Sequence, residues 1–176
     1  VIYMGFFGKK EKKKERGADE YEQGMELLGK DDPAAFSLFG RAADAGNARA
    51  QFMLAQMYEA GRGTGESRQY AAEWYSESFD NGCETAGLYL ARMLLEGLDP
   101  ETDAEETVNI LGSLFESGND DPFLEAPSVV FDIGRTIYEG RGTLKETGIG
   151  IEVLEKGERL GNPQCAAYLK EKGFRK

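Results

Sequence analysis

The spacing of its glycines constrains this chain more than any other feature. Gly46, Gly82 and Gly118 stand 36 residues apart, and Gly61 and Gly97 repeat that step. The next intervals, Gly118 to Gly161 and Gly97 to Gly140, are both 43 residues. The two series therefore share one seven-residue insertion, in the stretch NDDPFLEAP at 119–127. A period of this length marks a stacked repeat, in which each unit hides its apolar stripe only against its neighbours.

The residues around these anchors repeat as well. Leu54, Leu90 and Ile133 each precede the second-series glycine by seven positions, and each is followed by a small residue, Ala55, Ala91 and Gly134. Ten positions after that glycine come Ala71, Thr107 and Gly150, again small. Large apolar residues beside small ones at helical spacing describe two helices packed closely face to face. Each unit reads as a helix A, a glycine-containing loop, a helix B, then a Gly-Asn stop, with Asn81-Gly82 a variant. A glycine inside a helix costs roughly 1 kcal/mol, so 23 of them are expected at helix ends and close contacts.

The expected fold is all-α, an α/α superhelical solenoid of about four and a half helix-hairpin repeats. The units fall at about 18–46, 48–82, 84–118 and 127–161, with a half-unit cap at 163–172, inside a repeat domain of 18–176. Residues 1–17 read as a flexible basic arm. Within it, 9–16 (KKEKKKER) hold six basic and two acidic side chains, which leaves 15 basic and 30 acidic residues elsewhere. A body this acidic repels phosphates and argues against nucleic acid as a partner. The arm, with Phe6 and Phe7, is the one place where a membrane or nucleic acid could recruit the chain.

Three segments carry a family resemblance: Ala50-x3-Leu54-Ala55-x2-Tyr58-x2-Gly61-x-Gly63, Ala71-x2-Trp74-Tyr75 and Ala42-Ala43-x2-Gly46. On these residues the chain resembles the Sel-one-like repeat family, relatives of the tetratricopeptide proteins, over about 18–170. The resemblance is strongest over 35–97. It implies an α/α superhelix that serves as an adaptor in protein complexes, with no active site shared among members.

The residues themselves point away from catalysis. There is no histidine, which removes His-based acid–base and nucleophile systems and HExxH zinc sites. No serine has a lysine three positions on. Two distant cysteines, Cys83 and Cys165, make neither a zinc site nor a disulfide framework and are expected as buried thiols. The loop Gly61-Arg62-Gly63-Thr64-Gly65 follows a helix and lacks the Lys-Ser/Thr ending of a phosphate loop. Asp99-x-Glu101-x-Asp103 begins like a calcium loop but has Ala104 and Ile110 where glycine and glutamate are needed. The chain is thus expected to be no enzyme and to use no cofactor and no metal.

In a tetratricopeptide-like arrangement the A helices line the concave surface. Transferred here, Phe52, Leu88 and Phe131 point into that groove, with Tyr21 as the first-unit equivalent. Gln56, Arg92 and Arg135 follow one turn later, and Glu59, Leu95 and Tyr138 three positions beyond them. An apolar ladder flanked by two arginines suits a peptide with apolar anchors and a carboxylate. A plainer reading stands beside it: Arg92 with Glu96 and Arg135 with Glu139 as surface pairs, Phe52 and Phe131 packed between neighbouring A helices. Phe123 and Leu124 in the insertion form a second candidate, either tucked over the stack or presented as a contact tip. The function expected is a protein-interaction scaffold that binds another protein or peptide, as a monomer. No apolar run approaches the ~18–20 residues that span a bilayer, and the cytoplasm is the expected compartment.

Overall fold

A computed structural model describes residues 17–97, 102–140 and 148–175. Those residues form ten helices and no strand. The pairs are α1 (Ala18–Leu27) with α2 (Asp32–Asp44), α3 (Ala48–Ala60) with α4 (Arg68–Asp80), α5 (Glu84–Leu95) with α6 (Thr102–Ser117), and α8 (Pro127–Tyr138) with α9 (Ile149–Arg159). A short α7 (Asp121–Glu125) lies in the insertion, and α10 (Pro163–Glu171) ends the stack. Each helix packs on its pair-mate, and α3, α5 and α10 also pack on the helix that precedes them. The fold is an all-α repeat solenoid. The basic run 9–16, Phe6, Phe7, Asp99, Glu101, Arg141, Gly142 and the side chain of Asp103 lie outside the described residues.

The Gly-Asn dipeptide does two things at once. Gly46 takes φ +83°, where a side chain would cost about 1–2 kcal/mol, and so turns the chain out of α2. Its N–H reaches the Ala43 carbonyl and that of Asn47 reaches Ala42, which satisfies carbonyls the helix end would leave open. Asn47 Oδ1 then accepts from Ala50 N at 3.0 Å and caps α3. Gly161 and Asn162 repeat this between α9 and α10, where Asn162 Oδ1 accepts from Gln164 N and Cys165 N. At Asn81-Gly82 the order is inverted. Gly82 still turns at φ +94°, but Cys83 stands at the N-cap and its side chain makes no capping bond.

The small residues meet at the A–B crossings. Ala55, Ala71, Ala91 and Thr107 are fully buried. In the fourth pair the positions hold Gly134 and Gly150, and the two backbones touch. A Cβ on Gly134 would sit 2.7 Å from Leu154 Cγ, and one on Gly150 would sit 2.9 Å from Tyr138 N and 3.0 Å from Gly134 O.

The insertion folds inward on one side only. Phe123 is buried against Phe115, ring centroids 5.6 Å apart, and Lys156 Nζ lies 5.2 Å from the centre of its ring. Lys156 also pairs with Asp120, while Asn119 Nδ2 donates to Glu84 at 2.7 Å and Thr85 donates to Glu125. These bonds tie α7 to α5 and α9. Of the two alternatives for Phe123 and Leu124, Phe123 takes the tucked one and Leu124 stays at the surface. Phe123 is core, whereas Leu124, turned by about 100° around α7, is 51% exposed.

Two buried clusters make the core. One joins α2 and α3 through Ala35, Phe39, Ala42, Leu54 and Met57; the other runs from Ala55 to Leu169. Trp74 packs against both and so joins the first two pairs to the rest.

Candidate functional site

The leading helices α3, α5 and α8 bring some of the expected groove residues together and disperse others. Leu88 is fully buried, so its place on an open groove is corrected. A leucine at this position is short enough to enter the core, and Tyr89 beside it takes the outward position. Phe52 of α3 is half-buried between Tyr75 and Tyr89, at ring distances of 5.7 and 5.2 Å. Phe131 of α8 meets Tyr168 of α10 edge-on at 5.8 Å, and Tyr138 meets Tyr168 and Phe174 at 5.9 and 5.7 Å. The plainer reading of these two phenylalanines, as packing between neighbouring A helices, describes what the rings do. Tyr21 packs on Phe39 within the first pair at 5.9 Å. Gln56 faces a separate hollow shared with Leu28, Met53 and Arg62.

Arg92, Leu95 and Arg135 do converge. With Glu96, Asp132 and Thr136 they line a notch of about 250 Å³ between α5 and α8. The guanidinium of Arg92 lies 5.6 Å from the Tyr89 ring centre, and that of Arg135 lies 5.5 Å from the Phe131 ring centre. Each arginine carries a buried Nε without a hydrogen-bond partner.

The two arginines nevertheless differ in how firmly they are held. Arg92 is 20% exposed, pairs with Glu59 from α3, and reaches Glu96 at 3.2 Å; Glu96 also accepts from Arg68. Burial works against its charge, but the hydrogen bond and charge of Glu59 and the charge of Glu96 outweigh it and raise its pKa. Glu59 in turn accepts from the Tyr75 hydroxyl at 2.8 Å. Burial first, then the Glu59 charge and bond, push the Tyr75 phenol well above its ordinary value of 10.0. Glu59 thus clamps α3, α4 and α5 at one point. Arg135 is 38% exposed and has a 3.4 Å contact with Asp132, one turn back on its own helix, in place of the Glu139 pair that the sequence suggests. Glu139 accepts from Tyr168.

The clamp is the part that sequence reasoning missed. Glu59 and Arg92 lie 33 positions apart in different units, and only the stacking of those units brings them together. Tyr75 carried a visible signal as part of the Trp-Tyr pair after Ala71, though not its partner.

The loop at 61–65 is structural. Arg62 grips Asp32 through two nitrogens, at 2.9 and 3.2 Å, and a Cβ on Gly63 would lie 2.3 Å from the Asp32 carbonyl oxygen. The Arg62 hydrogen bond and that from Gly29 N hold the Asp32 carboxyl below its ordinary range. Cys165 is buried, and burial followed by the charge of Glu158 pushes its thiol up to about 11. Cys83 is only half-buried, which corrects the expectation of two buried thiols; as the residue before α5 it lies at the solvent-facing end of the pair. Among the described residues no cluster of acidic or cysteine side chains could hold a metal ion, and no helix is long and apolar enough to cross a membrane.

Comparison with known proteins agrees with this architecture. The Sel1 repeat matches residues 16–47 and 48–83. No curated protein matches the sequence. The crystal structure of a Sel1 repeat protein from Oxalobacter formigenes is 22% identical, with a TM-score of 0.68 over 89% of this chain and 64% of that one. That of c5321, a protective antigen present in uropathogenic Escherichia coli strains and displaying an SLR fold, is 21% identical, with a TM-score of 0.65 over 81% of this chain and 30% of that one. The chain thus spans less than two thirds of either structure, and at these identities the likeness concerns the fold. Sel1-repeat proteins are generally non-catalytic scaffolds for protein interactions. Residues 16–83 thus match two Sel1 repeats, and the described length of the chain folds as an all-α repeat solenoid.

Proposed function

We propose that this chain is a non-catalytic scaffold that holds a partner protein along the face of α3, α5 and α8, with Arg135 as the group that reads an acidic side chain. The observation that carries this is the α5–α8 notch, where Arg92 and Arg135 stand together with Leu95 beside them. Arg92 is committed to Glu59 and Glu96, so it sets the shape and charge of the notch. The Arg135–Asp132 contact is partly exposed and long, and pairs of that kind are worth under ~1 kcal/mol. A partner carboxylate can therefore displace Asp132 at little cost and gain a paired, charge-assisted contact. The partly buried rings of Phe52, Phe131 and Tyr138 and the apolar Leu95 supply the flanking surface, while Gln56 belongs to the separate hollow beside α3. Leu124, exposed on α7, is a separate contact point in this reading.

The test is affinity capture with wild-type protein beside Arg135→Glu, read by mass spectrometry, with melting curves of both. Arg92 is left in place because its removal would strand Glu59. A partner captured by the wild type and lost by a stably folded Arg135→Glu supports the reading. The same partners on both proteins would contradict it.

A further inference from the structure

A second recognition site lies between α2 and α4. Its cavity, about 620 Å³, is lined by Tyr58, Tyr70 and Trp74 and by the carboxylates of Asp44, Glu73 and Glu77. No lysine or arginine lines it. Tyr70, Glu73, Trp74 and Glu77 follow one another at helical spacing and so share one face of α4, while Asp44 approaches from the end of α2. The Tyr58 and Tyr70 ring centroids are 5.2 Å apart, and Tyr70 is 53% exposed. Trp74 is the only tryptophan in the chain.

The charge here is left uncompensated, in contrast to the α5–α8 notch. Glu73 accepts from the amide of Gln69 and Glu77 from that of Asn81, both neutral donors. Asp44 makes no ion pair with any described residue. An aromatic wall attracts a cation through the negative faces of its rings, and three carboxylates around it add a field of the same sense. The geometry points to a docking site for a lysine- or arginine-bearing segment of a partner protein, whose cationic side chains enter this cavity against Tyr58, Tyr70 and Trp74. The site is built from α2, α3 and α4 and shares no lining residue with the Arg135 notch.

Trp74 fluorescence makes the site directly readable in the full chain. The probe is a capped tetra-arginine peptide, with its tetra-citrulline isostere, equal in shape but uncharged, as control. The tetra-arginine peptide should shift Trp74 emission saturably and the citrulline peptide should not. Tyr70→Ala should weaken binding about fivefold, Glu73→Gln with Glu77→Gln about tenfold, and Tyr70→Phe should restore it. All three substituted side chains are exposed, so melting temperatures should stay unchanged. Equal affinity in wild type and variants would mean diffuse attraction to the acidic body and overturn the proposal. So would a change in the emission of the free protein on Lys12→Gln, Lys13→Gln and Lys14→Gln, because the chain's own arm would then be the occupant.

Discussion

The second and fourth helix pairs solve the same packing problem in opposite ways. In the second, Ala55 of α3 faces Ala71 of α4, and the aromatic Tyr58 and Tyr75 stand one turn further along each helix. In the fourth, those positions hold Gly134 and Gly150, with Ile137 and Leu154 in place of the tyrosines. In the second pair Tyr75 is buried with its hydroxyl on Glu59, while the half-buried Tyr58 lines the acidic cavity. Without Cβ atoms, α8 and α9 sit backbone on backbone and seal with aliphatic side chains. The repeat register specifies only that both residues be small. The second pair carries alanines with tyrosines one turn on, and the fourth carries glycines with aliphatic residues there.

The largest expected effect comes from forcing the fourth pair toward the second. Gly150→Val places carbon against the Tyr138 amide and the Gly134 carbonyl, backbone that cannot step aside. A loss of about 3 kcal/mol in urea unfolding is expected, and a change below ~1 kcal/mol would mean that the helices are not in backbone contact.

An intermediate effect belongs to the aromatic pair. Because the folded-state pKa of Tyr75 is raised above 10.0, the protein keeps that proton where the unfolded chain loses it. Its contribution is complete below about pH 10 and declines above it by up to about 1.4 kcal/mol per pH unit. Tyr75→Phe should remove this part of the alkaline decline and cost about 1 kcal/mol at neutral pH through the lost bond to Glu59. An unchanged stability profile between pH 9 and 11 would contradict the burial of Tyr75 against Glu59. The smallest effect is the reverse swap, Ala71→Gly, expected to cost about 1 kcal/mol by helix propensity and the lost methyl. A cost equal to that of Gly150→Val would erase the distinction between the two pairs.

The architecture was legible because glycine and asparagine have local reasons to be where they are. A positive φ at Gly46 or Gly161 and a cap from the following asparagine belong to a few consecutive residues, so their spacing transmits the period directly. The face a side chain presents is a property of neighbouring units, and there the sequence was less informative. Leu88 and Phe52 occupy equivalent positions, yet Leu88 is fully buried whereas Phe52 stays half-buried against Tyr75 and Tyr89. Phe123 and Leu124 are equally apolar, and the helical twist of α7 alone separates core from surface. The Glu59–Arg92–Tyr75 clamp needs three helices in register before it exists. By contrast, the acidic aromatic face of α4 is written at i, i+3, i+4 and i+7 from Tyr70 and needs only Asp44 and Tyr58 from elsewhere.

The central claim, that this solenoid holds a partner through the α5–α8 notch, is tested most directly by affinity. The partner recovered by capture would be titrated against wild type, Arg135→Lys and Arg135→Glu by calorimetry at two salt concentrations. Loss of binding in Arg135→Glu, partial retention in Arg135→Lys and weakening of the wild type by salt are the predicted results. Equal affinities for all three would contradict the claim and free Arg135 from any role beyond its contact with Asp132.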